Sequence, residues 1–180
     1  MRGFLLKMYI EEFTHRQIMA ERFYEYHHYY NDKPINVDFH QHAFYEIYIF
    51  ISGNVNYIIE GRNYQLRPGD ILLTNNRDIH RPEILPSQQP YERIVIWLDH
   101  AFFNGLRDIG EDLTACFQDA SNRDYRLFRP NESQMPKIQS ACQAIELERG
   151  SNKLGSRVMA YSSIMEILVL LSRAYYEISD

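Results

Sequence analysis

The spacing of apolar residues changes period along this chain, and the change divides it into a β-rich part and a helical part. From Val37 the segment HAFYEIYIFIS is crowded with aromatic and β-branched residues, Gly53-Asn54 marks a turn, and VNYIIE resumes before Gly61-Arg62-Asn63 turns again. Arg67-Pro68-Gly69-Asp70 supplies another turn, ILLT a buried strand, Asn75 to Ile79 a loop, and Arg81 to Pro90 a proline-punctuated connection. YERIVIWLD forms the last strong strand. Short strands separated by frequent turns predict an antiparallel barrel or sandwich.

After Asp99 the apolar period lengthens to that of a helix. Ala101 to Leu106 predicts a short helix, and Leu113 to Arg129 gives no assignable pattern. A helix is expected from about Ser133, which can cap it, to Arg149, with Met135, Ile138, Cys142 and Ile145 on one face and Gly150 as its stop. A second helix begins near Leu154, where Leu154, Val158, Tyr161, Met165, Leu168, Ser172 and Tyr175 follow four-three spacing. Ile164, Ile167, Leu171 and Ile178 widen that stripe. The barrel and the first helix cannot cover all of it, so a second subunit is expected on the remaining strip and the four-three residues are the expected dimer contacts. Upstream, Glu11 to Glu21 suits a short helix and Arg22 to Tyr30 an edge strand, with His27 and His28 on its solvated side or in a lid. The resulting division is an N-terminal arm (1–33), a barrel (34–106), a connecting segment (107–132) and a helix pair (133–178).

With 180 residues the chain suits one domain able to fold without disulfides or metal. Fourteen Tyr and ten Phe beside one Trp favour a pocket with amphipathic walls, because a Tyr ring packs while its hydroxyl reaches polar partners. A net charge of −5 excludes the whole chain as a nucleic-acid binder, which needs clustered Lys and Arg. Cys116 and Cys142 show no metal or redox spacing and are expected to be reduced thiols in a cytoplasmic protein. No signal-peptide cleavage pattern or membrane-length apolar run occurs. No GxSxG or GxGxxG motif occurs either, and no nucleophile stands out.

The chemistry concentrates at His40-Gln-His42-Ala-Phe-Tyr-Glu46, followed by Gly53, with His80 beyond the Pro68-Gly69-Asp70 turn. Period-two alternation puts His40, His42 and Glu46 on one face with Phe44, Tyr48 and Phe50. Two imidazoles, a carboxylate and His80 from a neighbouring strand can hold divalent iron, manganese or zinc, or form a polar wall against an organic ligand. Arg93 shares parity with Trp97 on the last strand, so both are candidates to face the same hollow.

The HxHxxxExxxxxxG spacing resembles the first cupin motif apart from its leading glycine; the second motif survives only as His80. The wider run through PGD, His80 and YERIVI resembles the N-terminal sensing domain of AraC-type transcription regulators. That resemblance implies a cupin barrel, a double-stranded β-helix of jelly-roll type, followed by an antiparallel helix pair that dimerises. It implies a small-molecule effector, with a sugar as first guess, held by His40, His42, Glu46, Tyr48, His80, Arg93 and Trp97 under a closing arm. It further implies no catalysis and no cofactor, and DNA contact only through helix-turn-helix units outside this chain. The alternative is a metal-dependent cupin enzyme, a dioxygenase or sugar isomerase, with His40, His42, Glu46 and His80 around the ion.

Overall fold

The computed structural model describes residues 10–107 and 110–177. Nine strands and four helices follow one another in these residues: β1 (Ile10–Glu11), β2 (Tyr24–Asn31), β3 (Tyr45–Ser52), β4 (Val55–Ile59), β5 (Arg62–Gln65), β6 (Ile71–Thr74), β7 (His80–Ile84), β8 (Tyr91–Leu98), α1 (His100–Arg107), α2 (Ala115–Asn122), β9 (Leu127–Phe128), α3 (Met135–Glu148) and α4 (Ser156–Glu177). A six-stranded sheet in the order β1-β2-β8-β3-β6-β9 faces a three-stranded sheet in the order β5-β4-β7. All pairings are antiparallel except the short β1–β2 contact.

The central strands β3 and β8 carry two interiors at once. In β3, Ile47 and Ile49 point to the helices while Tyr48 and Phe50 point between the sheets; in β8, Ile94, Ile96 and Leu98 divide from Val95 and Trp97 in the same way. A strand covered on both faces needs apolar residues at successive positions, which is why YEIYIFI is so continuous. The outer interior is completed by Phe102, Phe117, Ile138, Ile145, Ile164, Ile167, Leu168 and Leu171 from the four helices. A mainly antiparallel β structure with C-terminal helices is therefore observed, as expected from the periodicity.

Several expectations are corrected. Residues 24–31 are not an appended arm with a solvated strand, since β2 pairs along its whole length with β8, from Tyr24 opposite Leu98 to Asn31 opposite Tyr91. His27 and His28 are both buried, on opposite faces of β2. No helix forms between Glu12 and Phe23; this stretch is irregular chain. The proline-bearing 81–90 segment contributes β7, where Pro82 lies opposite Tyr57 on the sheet edge. An edge strand tolerates proline because its outer N–H needs no ladder partner. The unassigned 113–129 stretch supplies α2 and β9.

Ser133 does not cap α3: Gln134 precedes its first residue without a side-chain cap, and in the turn before it the Asn131 Oδ1 accepts from the backbone N–H of Ser133 (2.9 Å) and Gln134 (3.0 Å). Gly150 ends the helix with φ +68°, in the left-handed region. The four-three stripe on α4 is not one interface. Leu168 and Ser172 are buried within the chain, Tyr161 donates its hydroxyl to the Phe102 carbonyl at 2.7 Å, and only Leu154 and Val158 are strongly exposed. Met165 is half-buried, and the Tyr175 side chain and Ile178 lie outside the described residues. A drift of about 20° per heptad separates a straight helix from a strict seven-residue repeat, so the stripe wraps from the core to solvent. Among the described residues no helix is long and apolar enough to cross a membrane.

Candidate functional site

Between the two sheets lies a small cavity of about 50 Å³. Its walls carry Tyr29 from β2, Glu46 and Tyr48 from β3, Tyr57 from β4, Pro82 from β7 and Tyr91, Arg93, Val95 and Trp97 from β8; Phe13, Thr14, Arg16 and Gln17 of the irregular N-terminal segment roof it. Among the residues singled out by sequence, His40, Glu46, Tyr48, Arg93 and Trp97 line this hollow. His42 and His80 lie behind that wall, buried beside Glu46.

Period two explains Glu46 and Tyr48, which lie inside β3, but not His40 and His42, which precede the strand. These two are brought in by the loop into β3, where His40 bridges to His80 through paired backbone hydrogen bonds of 3.0 and 2.9 Å. The result is a cluster of imidazoles meeting edge to face, with the His40 and His80 ring centroids 4.2 Å apart and those of His42 and His80 4.8 Å apart. Each Nδ1 is tied to a main-chain carbonyl: His40 to Asp38 (2.9 Å), His42 to Phe44 (2.9 Å) and His80 to Asp78 (2.8 Å). A carbonyl can only accept, so Nδ1 carries the proton in all three, and each Nε2 of a neutral ring presents a lone pair.

Those lone pairs converge on a carboxylate. The Nε2 atoms of His42 and His80 stand 3.6 and 4.0 Å from Glu46, and neither has a hydrogen-bond partner. Glu46 is otherwise held by Trp97, whose indole N–H donates at 2.8 Å, and by the Tyr57 hydroxyl at 3.4 Å. Burial opposes ionisation of Glu46; a proton on the facing His42 or His80 would outweigh it and bring the pKa down to about 2, whereas neutral rings turn only lone pairs toward the carboxylate. Burial pushes His80 the other way, down to about 4, with the Glu46 charge opposing. The phenols of Tyr48 and Tyr57 are held well above their usual range, chiefly by burial, and remain neutral.

Ligand atoms of His42, Glu46 and His80 all lie within 4.8 Å of one another. Two orphaned imidazole nitrogens, each oriented through its other nitrogen, and a facing carboxylate are a donor set that fits a divalent cation. His40 stands against His80 but is not in that set.

Arg93 lies at the far end, fully buried among aromatic rings, 4.1 Å from the Tyr91 ring centroid, 4.7 Å from Tyr29 and 5.1 Å from Phe13. The Tyr48 and Tyr91 hydroxyls are hydrogen-bonded to each other at 2.8 Å. Tyr91 was legible in principle, since it shares parity with Arg93; the roofing residues carry no periodic signal.

The roof is fastened by one carboxylate. Glu25 pairs with Arg16 and accepts from the backbone N–H of Ala20 and, at 2.9 Å, of Glu21. Arg16 also stacks 5.1 Å from the Trp97 ring, and Phe13 meets Tyr29 edge-on at 5.5 Å.

The family model that matches the chain, the AraC-like ligand binding domain, spans residues 23–168. This chain belongs to that family. Its cupin-like fold accounts for the two facing sheets, and the match takes in the barrel wall of the site, β2 and most of α4, while the roof residues 13–17 precede it. No curated protein matches.

Solved structures that resemble the chain are similar over parts of it. A DMSP lyase, DddQ, from Ruegeria pomeroyi shares 24% identity over 43% of this chain and 39% of its own, with a TM-score of 0.39. A Cupin 2 conserved barrel domain protein from Salinispora arenicola shares 20% over 43% and 65%, with a TM-score of 0.38. A salicylate 1,2-dioxygenase from Pseudaminobacter salicylatoxidans shares 20% over 47% and 24%, with a TM-score of 0.39. The chain spans less than two thirds of the length of each, and nothing about activity passes from them to an AraC-like domain.

Proposed function

We propose that this AraC-like domain is the effector-sensing and dimerising part of a cytoplasmic transcription regulator, and that it is not an enzyme. The supporting observation is the roofed cavity: residues 13–17 close a hollow whose wall carries Glu46, Tyr48, Arg93 and Trp97. The free volume within is too small for a sugar, so binding one requires the roof or a wall to shift. Differential affinity for the shifted arrangement is what a sensor requires, without a chemical step. A sugar or sugar derivative suits aromatic faces interleaved with hydroxyl, imidazole and carboxylate groups. Dimerisation would use the exposed turn before α4 and its first residues, with Leu154, Val158 and Met159 at its centre, and DNA would be contacted by an attached helix-turn-helix domain.

A panel of sugars and sugar acids tests the sensing role by thermal melting. At a hundredfold excess over Kd a ligand stabilises by about 2.7 kcal/mol, and the shift should vanish in Trp97→Leu. A panel that leaves melting unchanged, with turnover of a substrate by metal-loaded protein, would overturn it.

The orphaned nitrogens of His42 and His80 favour one second reading, a metal-dependent cupin enzyme. His42, Glu46 and His80 would hold the ion, with His40 adjacent. Bound there, iron, manganese or zinc would supply Lewis-acid chemistry. Metal analysis of protein purified without chelator separates the readings: near-stoichiometric metal, lost in His80→Ala, favours the enzyme.

A further inference from the structure

The cavity wall carries two buried charged groups, Glu46 and Arg93, and among the described residues no ion pair joins them. Glu46 faces His42 and His80 and accepts from Trp97 and Tyr57. Arg93 is 2% exposed, and among the described residues no carboxylate comes within ion-pair distance of it. Its hydrogen bonds all leave from Nη1, to the side-chain oxygen of Asn31 and, at 3.4 Å, to the Tyr91 carbonyl. The rings of Tyr91, Tyr29 and Phe13 stabilise the cation through their faces but accept none of its remaining in-plane N–H groups.

A buried guanidinium without a counter-charge is costly, and among the described residues the Arg93 Nε and Nη2 groups donate to no protein acceptor. The edge left open is the Nε–Nη2 side, where two parallel N–H bonds match the two oxygens of a carboxylate. Resting on the sensing role above, we propose that the effector is a small organic monocarboxylate whose acid group seats on the Nε–Nη2 edge of Arg93, with its body between Trp97 and the Tyr48–Tyr91 pair. One positive charge matches one carboxylate. A phosphate dianion would leave excess negative charge in a cavity that already contains Glu46.

Matched pairs of ligands on the whole chain test this. Galacturonate against galactose, and benzoate against benzyl alcohol, are compared by thermal melting and calorimetric titration at equal ionic strength, with chloride as control. Asn31→Asp is the decisive variant, because it offers Arg93 a carboxylate from the protein with almost no change of shape. We expect the acids, but not their neutral partners, to raise the melting temperature saturably. In Asn31→Asp the ligand-free protein should melt higher, and acid binding should weaken at least about tenfold. Arg93→Lys, which keeps the charge but not the fork, should fall between. Equal binding of acid and neutral partners, undiminished in Asn31→Asp, would overturn the carboxylate seat and leave the sensing role standing. An Asn31→Asp protein that melts no higher, or acids that stabilise no more than chloride, would overturn the seat as well. The sensing role would still be judged on the wider panel and on Trp97→Leu.

Discussion

Glu46 and Ile47 are neighbours in sequence and inhabitants of different interiors, one beside the imidazoles and the other, fully buried, under the helices. Their substitutions should separate accordingly. Ile47→Ala leaves a void in the outer core and should cost about 2–5 kcal/mol in chemical denaturation while ligand binding survives. Glu46→Gln should behave differently, because its amide can donate to an imidazole lone pair that now meets only a carboxylate. In metal-free buffer we expect calorimetric stability to hold or rise; a loss beyond about 1 kcal/mol would show that a cation or shared proton normally fills the gap. At this scale much was legible. The His40, His42, Glu46 and His80 spacing and the shared parity of Arg93 and Trp97 pointed to the site: His40, Glu46, Arg93 and Trp97 line the hollow, while His42 and His80 lie behind its wall beside Glu46. Tyr57 and Tyr29 were not legible, since their place depends on which strands become neighbours.

At the scale of elements, the main surprise is that residues 12–23 stay irregular and serve as a roof. Helix over this stretch loses to side-chain capture, because Glu25 takes the backbone N–H groups of Ala20 and Glu21 and the Arg16 guanidinium together. Burial opposes the Glu25 charge, but Arg16 and those N–H groups bring its pKa from 4.5 down to about 2. A depressed carboxylate pKa means that this contribution to stability is complete above pH 4.5 and is lost as pH falls toward 2. Glu25→Gln should therefore loosen the roof at neutral pH, seen as faster tryptic cleavage at Arg16 with the barrel intact. Unchanged cleavage would show that Phe13 and Arg16 hold the roof without it. The helices make a second contrast. Leu168→Ala should cost about 2–5 kcal/mol irrespective of protein concentration, since Leu168 is fully buried within one chain. Val158→Asp should change intrachain stability by no more than about 0.5 kcal/mol while weakening a dimer built on the exposed start of α4, measured by light scattering. Four-three spacing located α4 but not its buried face, because barrel and α3 together select that face. β7 and α2 escaped notice for simpler reasons, an edge proline in one and a short, weakly patterned segment in the other.

For the molecule as a whole, the helices and the barrel are joined through a buried ion cluster. His28 on β2 binds Glu92 of β8 at 2.8 Å through Nε2 and Glu146 of α3 at 3.0 Å through Nδ1. Burial opposes its charge, but the two carboxylates outweigh burial and raise its pKa above 6.5. A raised histidine pKa gives stability that is fully present below 6.5 and is lost as pH climbs through the folded value. Melting temperature should thus fall as pH rises above 6.5, and His28→Gln should flatten that slope; an unaltered slope would assign it elsewhere. The fold class was legible because β3 and β8 need apolar residues on both faces and the tail needs a helical period. This junction was not, since it unites residues far apart in sequence. Another consequence follows from the roof. The chain's one indole lies between Arg16 of the roof and Glu46, to which its N–H donates. Nature has thereby installed an optical gauge: the wavelength of ultraviolet emission should shift as the roof lifts and water reaches the ring, reporting opening without any added dye.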